Sequence, residues 1–242
     1  MHTLSATELL DVWERGEHQH PLDRALTLLA VTCPEKKHPD LMRLSIGQRD
    51  ALLFALRLLT FGPEMEAYAA CPACGAHLEF KINIEELLRI DTHGDRSEPS
   101  ADLDGFIIRF RLPDSVDLAE CVNSGSMEAD KEIFKRCVLK VTRGNKEVAF
   151  EELPEATNSA LAERMAELDP LSEVQIALNC TECGHRFTML LDILSFFWGE
   201  LSGQAKQLLK QVHVLARYYG WREADILAMK PWRRQYYLDM VT

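Results

Sequence analysis

Apolar positions recur with a helical period over the first sixty residues, and the breaks in that period are marked by caps, glycine and proline. Ser5 and Glu8 have the spacing of a capping box just ahead of an apolar stretch, so a first helix is expected to run to Arg15 and stop at Gly16. A second begins after Pro21, carries Leu22, Ala25, Leu26, Leu28 and Leu29 on one side, and ends near Thr32-Cys33-Pro34. Ser45 and Gln48 repeat the capping box and open a strong helix from about Ile46 to Thr60, closed by Phe61-Gly62-Pro63. Its apolar residues cover most of the circumference, which predicts deep burial.

Beyond the first cysteine pair the pattern changes. Asp91 to Gly105 is polar and rich in turn formers, and reads as a loop. Phe106 to Leu112 alternates apolar and polar residues as a strand does. Asp117–Cys121 and Met127–Val138 read as helices, Gly144-Asn145 as a turn, and Val148–Phe150 as a short strand. A helix over Glu155–Leu168 is closed by Asp169-Pro170, and Val174–Leu178 leads as a strand into a second cysteine pair. The rest reads as helix in three parts, Thr188–Leu201, Gln204–Tyr219 and Arg222–Ala228, with a last short helix opening at Pro231. The most apolar stretches, Ala51–Phe61 and Met189–Trp198, are too short to span a bilayer and are flanked by charge. The N-terminus turns acidic and amphipathic at once, without the basic start of a signal peptide. The expectation is a cytoplasmic protein with no membrane insertion.

Seven cysteines without a secretory signal do not suggest a disulfide framework. Cys33, Cys121 and Cys137 are scattered and read as small buried hydrophobes. The other four form two matching segments, Cys71-Pro-Ala-Cys74-Gly75 and Cys180-Thr-Glu-Cys183-Gly184, each followed by a β-compatible stretch. Two intervening residues turn both sulfurs toward one point, and the glycine permits the positive φ of a tight turn. Each knuckle supplies two of the four ligands of a tetrahedral ion, so Cys71, Cys74, Cys180 and Cys183 together specify one closed, structural Zn2+ site. The 105 residues between Cys74 and Cys180 make this a split ribbon closed across a long insertion. The entropy of closing such a loop grows only logarithmically with its length. A redox dithiol, an iron–sulfur cluster, and replacement of one thiolate by His77 or His185 are the alternatives.

No G-x-S-x-G elbow, Walker loop, H-E-x-x-H or G-x-G-x-x-G motif is present, and the expectation is a protein that is not an enzyme. The formal charge of −11 disfavours nonspecific binding to nucleic acid. It is unevenly spread: residues 203–242 hold seven basic and three acidic side chains, a net +4 that leaves −15 on the remainder. Tyr218, Tyr219, Trp221, Trp232, Tyr236 and Tyr237 lie in the same stretch. Aromatic and arginine side chains are the usual anchors of interfaces, which makes Trp221, Trp232, Arg233 and Arg234 candidate partner contacts. The same aromatics would equally serve to pack short helices together.

Several stretches together carry a family resemblance. They are Leu44 to Leu53 (LSIGQRDALL) with Phe61-Gly62 and the first knuckle; Phe110 to Leu118 (FRLPDSVDL); Asp169-Pro170 before the second knuckle, with Phe197 to Glu200 (FWGE); and Val212 to Arg217, Tyr219 to Leu227 and Arg233 to Leu238. In this order, from about residue 44 to 240, the chain resembles zinc-knuckle baseplate or baseplate-hub assembly proteins of contractile phage-like tails and contractile injection systems, related to T-even-type phages. The resemblance implies a structural component or assembly chaperone, and brings no catalytic residues. It implies baseplate, spike or tail-tube proteins as partners, and a place in the cytoplasm during assembly or in the finished virion-like particle. A zinc-ribbon adaptor of another complex, binding protein or nucleic acid through the basic tail, is the alternative. The expected fold is α+β, mostly α-helical, with a small split zinc ribbon. It divides into an N-terminal helical region (1–62), the ribbon (63–200, insertion 91–170) and a C-terminal helical module (201–242).

Overall fold

The computed structural model of the protein describes residues 1–90, 98–124 and 129–241. In chain order the backbone forms α1 (Ala6–Gly16), α2 (Pro21–Thr32), α3 (His38–Met42), α4 (Ile46–Phe61), β1 (Glu64–Ala70), β2 (His77–Asn83) and α5 (Ile84–Leu88). The middle contributes β3 (Ser100–Leu103), β4 (Phe106–Phe110), α6 (Ser115–Ser124), α7 (Ala129–Cys137), β5 (Val138–Arg143), β6 (Lys146–Glu147) and α8 (Glu155–Leu168). Then come β7 (Val174–Asn179), β8 (Arg186–Leu191), α9 (Ile193–Tyr219), α10 (Glu223–Leu227) and α11 (Pro231–Leu238). About half of the chain is helical, and with eight strands among the described residues the fold is mixed α and β rather than mostly helical.

Four expectations need correction. Residues 91–97 of the expected loop, and Met127 at the expected helix start, lie outside the described residues; Ser100–Leu103, read as loop, is a strand paired to Phe106–Arg109. The short strand falls at Lys146–Glu147, and Phe150–Glu152 is a 3-10 turn. Thr188–Leu191, read as the start of a helix, belongs to β8, whose pairing with β7 outweighs local propensity. The helical segments that follow are one 27-residue helix, α9. A glycine inside a helix costs about 1 kcal/mol, and burial of Leu201, Ala205 and Leu208 around Gly203 offsets it.

The chain forms two compact units, Met1–Lys36 with Ile193–Thr242, and Lys37–Asp192. Helix α4, grouped by sequence with α1 and α2, therefore belongs with the strands. In the first unit α1 and α2 pack on each other and on α9. The capping box of α1 is complete: the Glu8 N–H donates to Ser5 Oγ at 3.2 Å, and the Ser5 N–H donates to Glu8 Oε2 at 2.9 Å. Phe197, Leu201, Ala205, Leu208, Val212 and Leu215 recur every three or four residues along α9, and all are buried. The C-terminal end of α1 approaches α9 so closely that a Cβ at Gly16 would lie 2.1 Å from the Trp198 indole. Arg24 seals this corner, its guanidinium 4.8 Å above the same indole and its Nε donating to the Gly16 carbonyl at 2.7 Å.

The second unit contains three antiparallel sheets: the hairpin β1-β2, the four-stranded β3-β4-β5-β6, and the hairpin β7-β8. The four-stranded sheet turns Phe106, Ile108 and Phe110 inward, where they pack with Val141 and with Leu161 and Met165 of α8. Beside it lies a buried ionic cluster. Asp117, fully buried, accepts from Arg111 Nη1 and Nη2 at 2.5 and 2.7 Å, from Arg136 Nε at 3.0 Å and from the Asp114 N–H at 3.1 Å. Asp114 in turn caps α6, accepting the N–H groups of Val116 and Asp117 at 2.9 and 3.0 Å.

Both ends of the central segment are tied to the start of α4. The Ile46 N–H donates to the Pro113 carbonyl at 3.0 Å. From the far end of α8, Asp169 accepts the Ser45 hydroxyl at 2.8 Å and the Gly47 N–H at 2.9 Å. Burial pushes the Asp169 carboxyl above its ordinary value, against the pull of those two donors. There is no room at Gly47 for a side chain, since a Cβ would meet Asp169 Oδ1 at 2.2 Å and the Ser172 nitrogen at 2.9 Å. Gly47→Ala is expected to cost about 1–3 kcal/mol by overpacking, seen as a lower midpoint in a urea titration; an unchanged midpoint would disprove the tie. No helix among the described residues is long and apolar enough to cross a membrane.

Candidate metal centre

Two hairpins carry the cysteines, and they are built alike. In β1-β2 Met65 pairs with Ile82, and in β7-β8 Val174 pairs with Leu191, the same register displaced by the 109 residues that separate Cys71 from Cys180. The turns match as well. The Cys71 N–H donates to the Ala76 carbonyl at 2.9 Å and the Gly75 N–H to the Cys71 carbonyl at 2.8 Å. In the second turn Cys180 and His185, then Gly184 and Cys180, make the corresponding bonds, both at 2.9 Å. Gly75 (φ 74°) and Gly184 (φ 73°) take the left-handed conformation that a side chain would strain. The equivalence continues past the strands, where Ile84 and Ile193 both open helices and both are buried.

The hairpins bring the four thiols to one place. Their sulfurs all lie within 4.8 Å of one another, and no histidine or carboxylate joins the group among the described residues. Two of the separations run between hairpins, Cys71 Sγ to Cys183 Sγ and Cys74 Sγ to Cys180 Sγ, each 3.7 Å. The ring of His185 stacks on Phe187 at 6.1 Å. Cys71 and Cys180 are buried, Cys74 and Cys183 exposed.

Crowding divides the thiols electrostatically. Cys180 is drawn down to about 7, first by the Cys183 N–H, with the Glu182 N–H and neighbouring thiols adding to it against burial. At Cys74 the Ala76 N–H favours the thiolate, but the surrounding thiols and burial outweigh it and push the group up to about 12. Like charges at this range disfavour ionising the whole set together. A bound cation removes that obstacle, and these four residues could hold one metal ion. The remaining cysteines, Cys33, Cys121 and Cys137, are buried away from the cluster.

The aromatic and basic residues of the C-terminal segment divide into two kinds. Trp221 stacks on Tyr219 with ring centroids 4.4 Å apart and meets Tyr237 edge-on at 4.8 Å, so it packs within the helical unit. Arg234, expected as a surface contact, is buried: its Nη1 donates to the Met229 carbonyl at 2.7 Å and its Nε to Gln211 Oε1 at 3.3 Å. It holds a carbonyl at the end of α10, a role for which guanidinium geometry suits it better than solvent exposure does. Trp232 and Arg233 point outward. So do Tyr236 and Met240, which sequence reasoning did not select. The spacing of Trp232 and Tyr236, four apart and offset by two from the inward Arg234 and Leu238, was the available signal.

A family model described as T4 bacteriophage base plate protein matches residues 6–198 of the chain. The match includes both cysteine hairpins and begins well before the stretches in which the resemblance was visible. No curated protein and no solved structure matches the chain.

Proposed function

The chain belongs to the T4 bacteriophage base plate protein family, and from that premise we propose that it is a non-catalytic building or assembly component of a contractile-tail baseplate, with its second unit fastened by one zinc ion. The observation that carries the reading is the family match across most of the chain, spanning both halves of the cysteine cluster. The donor set supports zinc. Bonds of about 2.3 Å to four tetrahedral thiolates imply sulfurs about 3.8 Å apart, close to the 3.7 Å found between hairpins. Four thiolates fill the coordination sphere and leave no position for a reacting water, so the ion would hold the fold rather than act on a substrate. The chain's own residues supply the thiolates, the turn N–H groups that favour them, and the two glycines that let the turns close.

The test is deletion of the coding sequence followed by electron microscopy of the particles produced. Deletion is expected to leave no complete contractile tails, and expression of the protein in trans to restore them. Normal tails in the deletion would refute the baseplate role. Mass spectrometry of purified particles then separates a resident component, present in them, from an assembly chaperone, absent from them.

A further inference from the structure

Helix α11 is built inside out for a surface helix. Its inward positions are Arg234 and Leu238, both buried. Its outward positions are Trp232, 68% exposed, and Tyr236, 60% exposed, one helical turn apart. Asp239 keeps helical dihedrals (φ −61°, ψ −18°), so Met240, 57% exposed, extends the same stripe at i, i+4 and i+8. Large side chains aligned in this way mark interaction sites more often than solvated surface.

The surrounding charge says what kind of surface would cover the stripe. Arg217, Arg222, Lys230 and Arg233 are exposed on the same group of helices, and none makes an ion pair among the described residues. Some exposed cations elsewhere are matched within the chain, as Lys81 is by Glu64, Lys135 by Glu151, Lys140 by Glu147 and Arg164 by Glu167. Arg15, Lys37, Lys146 and Arg186 stand singly and apart in sequence rather than four within seventeen residues. Arg233 lies 5.7 Å from the Tyr237 ring, which holds it beside the stripe without neutralising it. Glu223, Asp225 and Asp239 are exposed among these cations, and they disfavour a phosphate backbone more than they do a protein whose carboxylates occupy discrete positions.

We propose that Trp232, Tyr236 and Met240, with Arg233 and Lys230 at their side, form a docking ridge for an acidic protein surface of a neighbouring tail component, one with an apolar pocket rimmed by carboxylates. This rests on the baseplate reading and deepens it by assigning the contact to the outer face of α11. The stripe lies beyond the segment that the family model matches, so the ridge attaches the shared body to its neighbour through residues 231–240.

A photo-crosslinking amino acid in place of Tyr236 in the full chain, Tyr236→p-benzoylphenylalanine, tests this in cells assembling particles. The expected capture is a peptide of another tail protein with carboxylates near the attachment point, lost with Arg233→Glu and kept with Arg233→Lys. Capture of nucleic acid, capture of a second copy of this chain in an isotope-mixed culture, or no capture would each overturn the proposal. Trp232→Ala with Tyr236→Ala, verified to keep the wild-type melting temperature, is expected to weaken binding to the captured protein about 30-fold or more, the loss of a hot-spot anchor. If that double variant restores complete tails to the deletion as well as wild type does, the ridge is not used. The baseplate role stands or falls separately, on the deletion itself.

Discussion

Serine in place of Cys180, or a strong chelator added to the wild-type protein, is expected to unfold the unit formed by residues 37–192. The hairpins β1-β2 and β7-β8 are separate sheets with no ladder between them. The buried side chains around the thiols are Cys71, Leu78 and Cys180, with Ala76 and Phe187 partly buried beside them. Burial of so few groups contributes a few kcal/mol, at roughly 1.5–3 kcal/mol for a fully buried large side chain. A structural zinc contributes about 10–16 kcal/mol in finger peptides, as much as the whole stability of a typical domain, about 5–15 kcal/mol. Metal analysis should find one zinc per chain in the wild type and none in Cys180→Ser. Thermal melting followed by circular dichroism should show loss of the cooperative transition in the variant. Cys121→Ser, outside the cluster, should keep its zinc; a Cys180→Ser protein that melts like wild type would remove the metal from any structural role.

The second large effect is expected at Asp117. Burial alone would raise its carboxyl pKa, but the Arg111 guanidinium, the Asp114 N–H and the Arg136 guanidinium outweigh it and hold the group well below the usual carboxylate range. Asp117→Asn preserves the shape but leaves two guanidinium groups facing a neutral amide. Breaking a buried pair in this way costs about 3–5 kcal/mol, a fall in melting temperature on the order of 10 °C for a chain of this size. The pH dependence has a definite sign. Because the folded pKa is depressed, the carboxylate's contribution is fully present above the unfolded value of about 3.9 and is lost as pH falls through the folded value. Wild type should therefore lose stability relative to Asp117→Asn as the pH drops below about 4. Parallel stability curves for the two proteins across that range would show that Asp117 is not the charged centre of the cluster.

Local signals in the sequence translated well into local structure. Both capping boxes form with the bonds their spacing implies, at Ser5 and Ser45, and α8 spans Glu155–Leu168, stopping ahead of Asp169-Pro170 as the sequence suggested. The cysteine spacing located the thiol cluster because C-x-x-C-G encodes a turn geometry within five residues. Features that depend on distant partners were not visible in the same way. Arg234 reads as a solvent-facing cation until Met229 and Gln211 are seen to surround it. Thr188–Leu191 reads as helical until β7 is placed alongside. Asp117 stood in an ordinary helix-start pattern, and its burial depends on Arg136, nineteen residues away.

The order of the two units along the chain has a consequence for synthesis. Residues 37–192 are enclosed in sequence by the pieces of the other unit, 1–36 and 193–242, like one pair of brackets inside another. At a translation rate of about 5–20 residues per second, Cys71 waits roughly 5–20 seconds before Cys180 is made. Helices α1 and α2, the first to be made, wait longer still for α9 to cover their apolar stripes. The inner bracket can therefore close first, and the outer one only when the last helices are complete. A chain interrupted before residue 180 would carry two thiols without their counterparts and two amphipathic helices without a partner, which makes truncated products natural targets for chaperones and proteases.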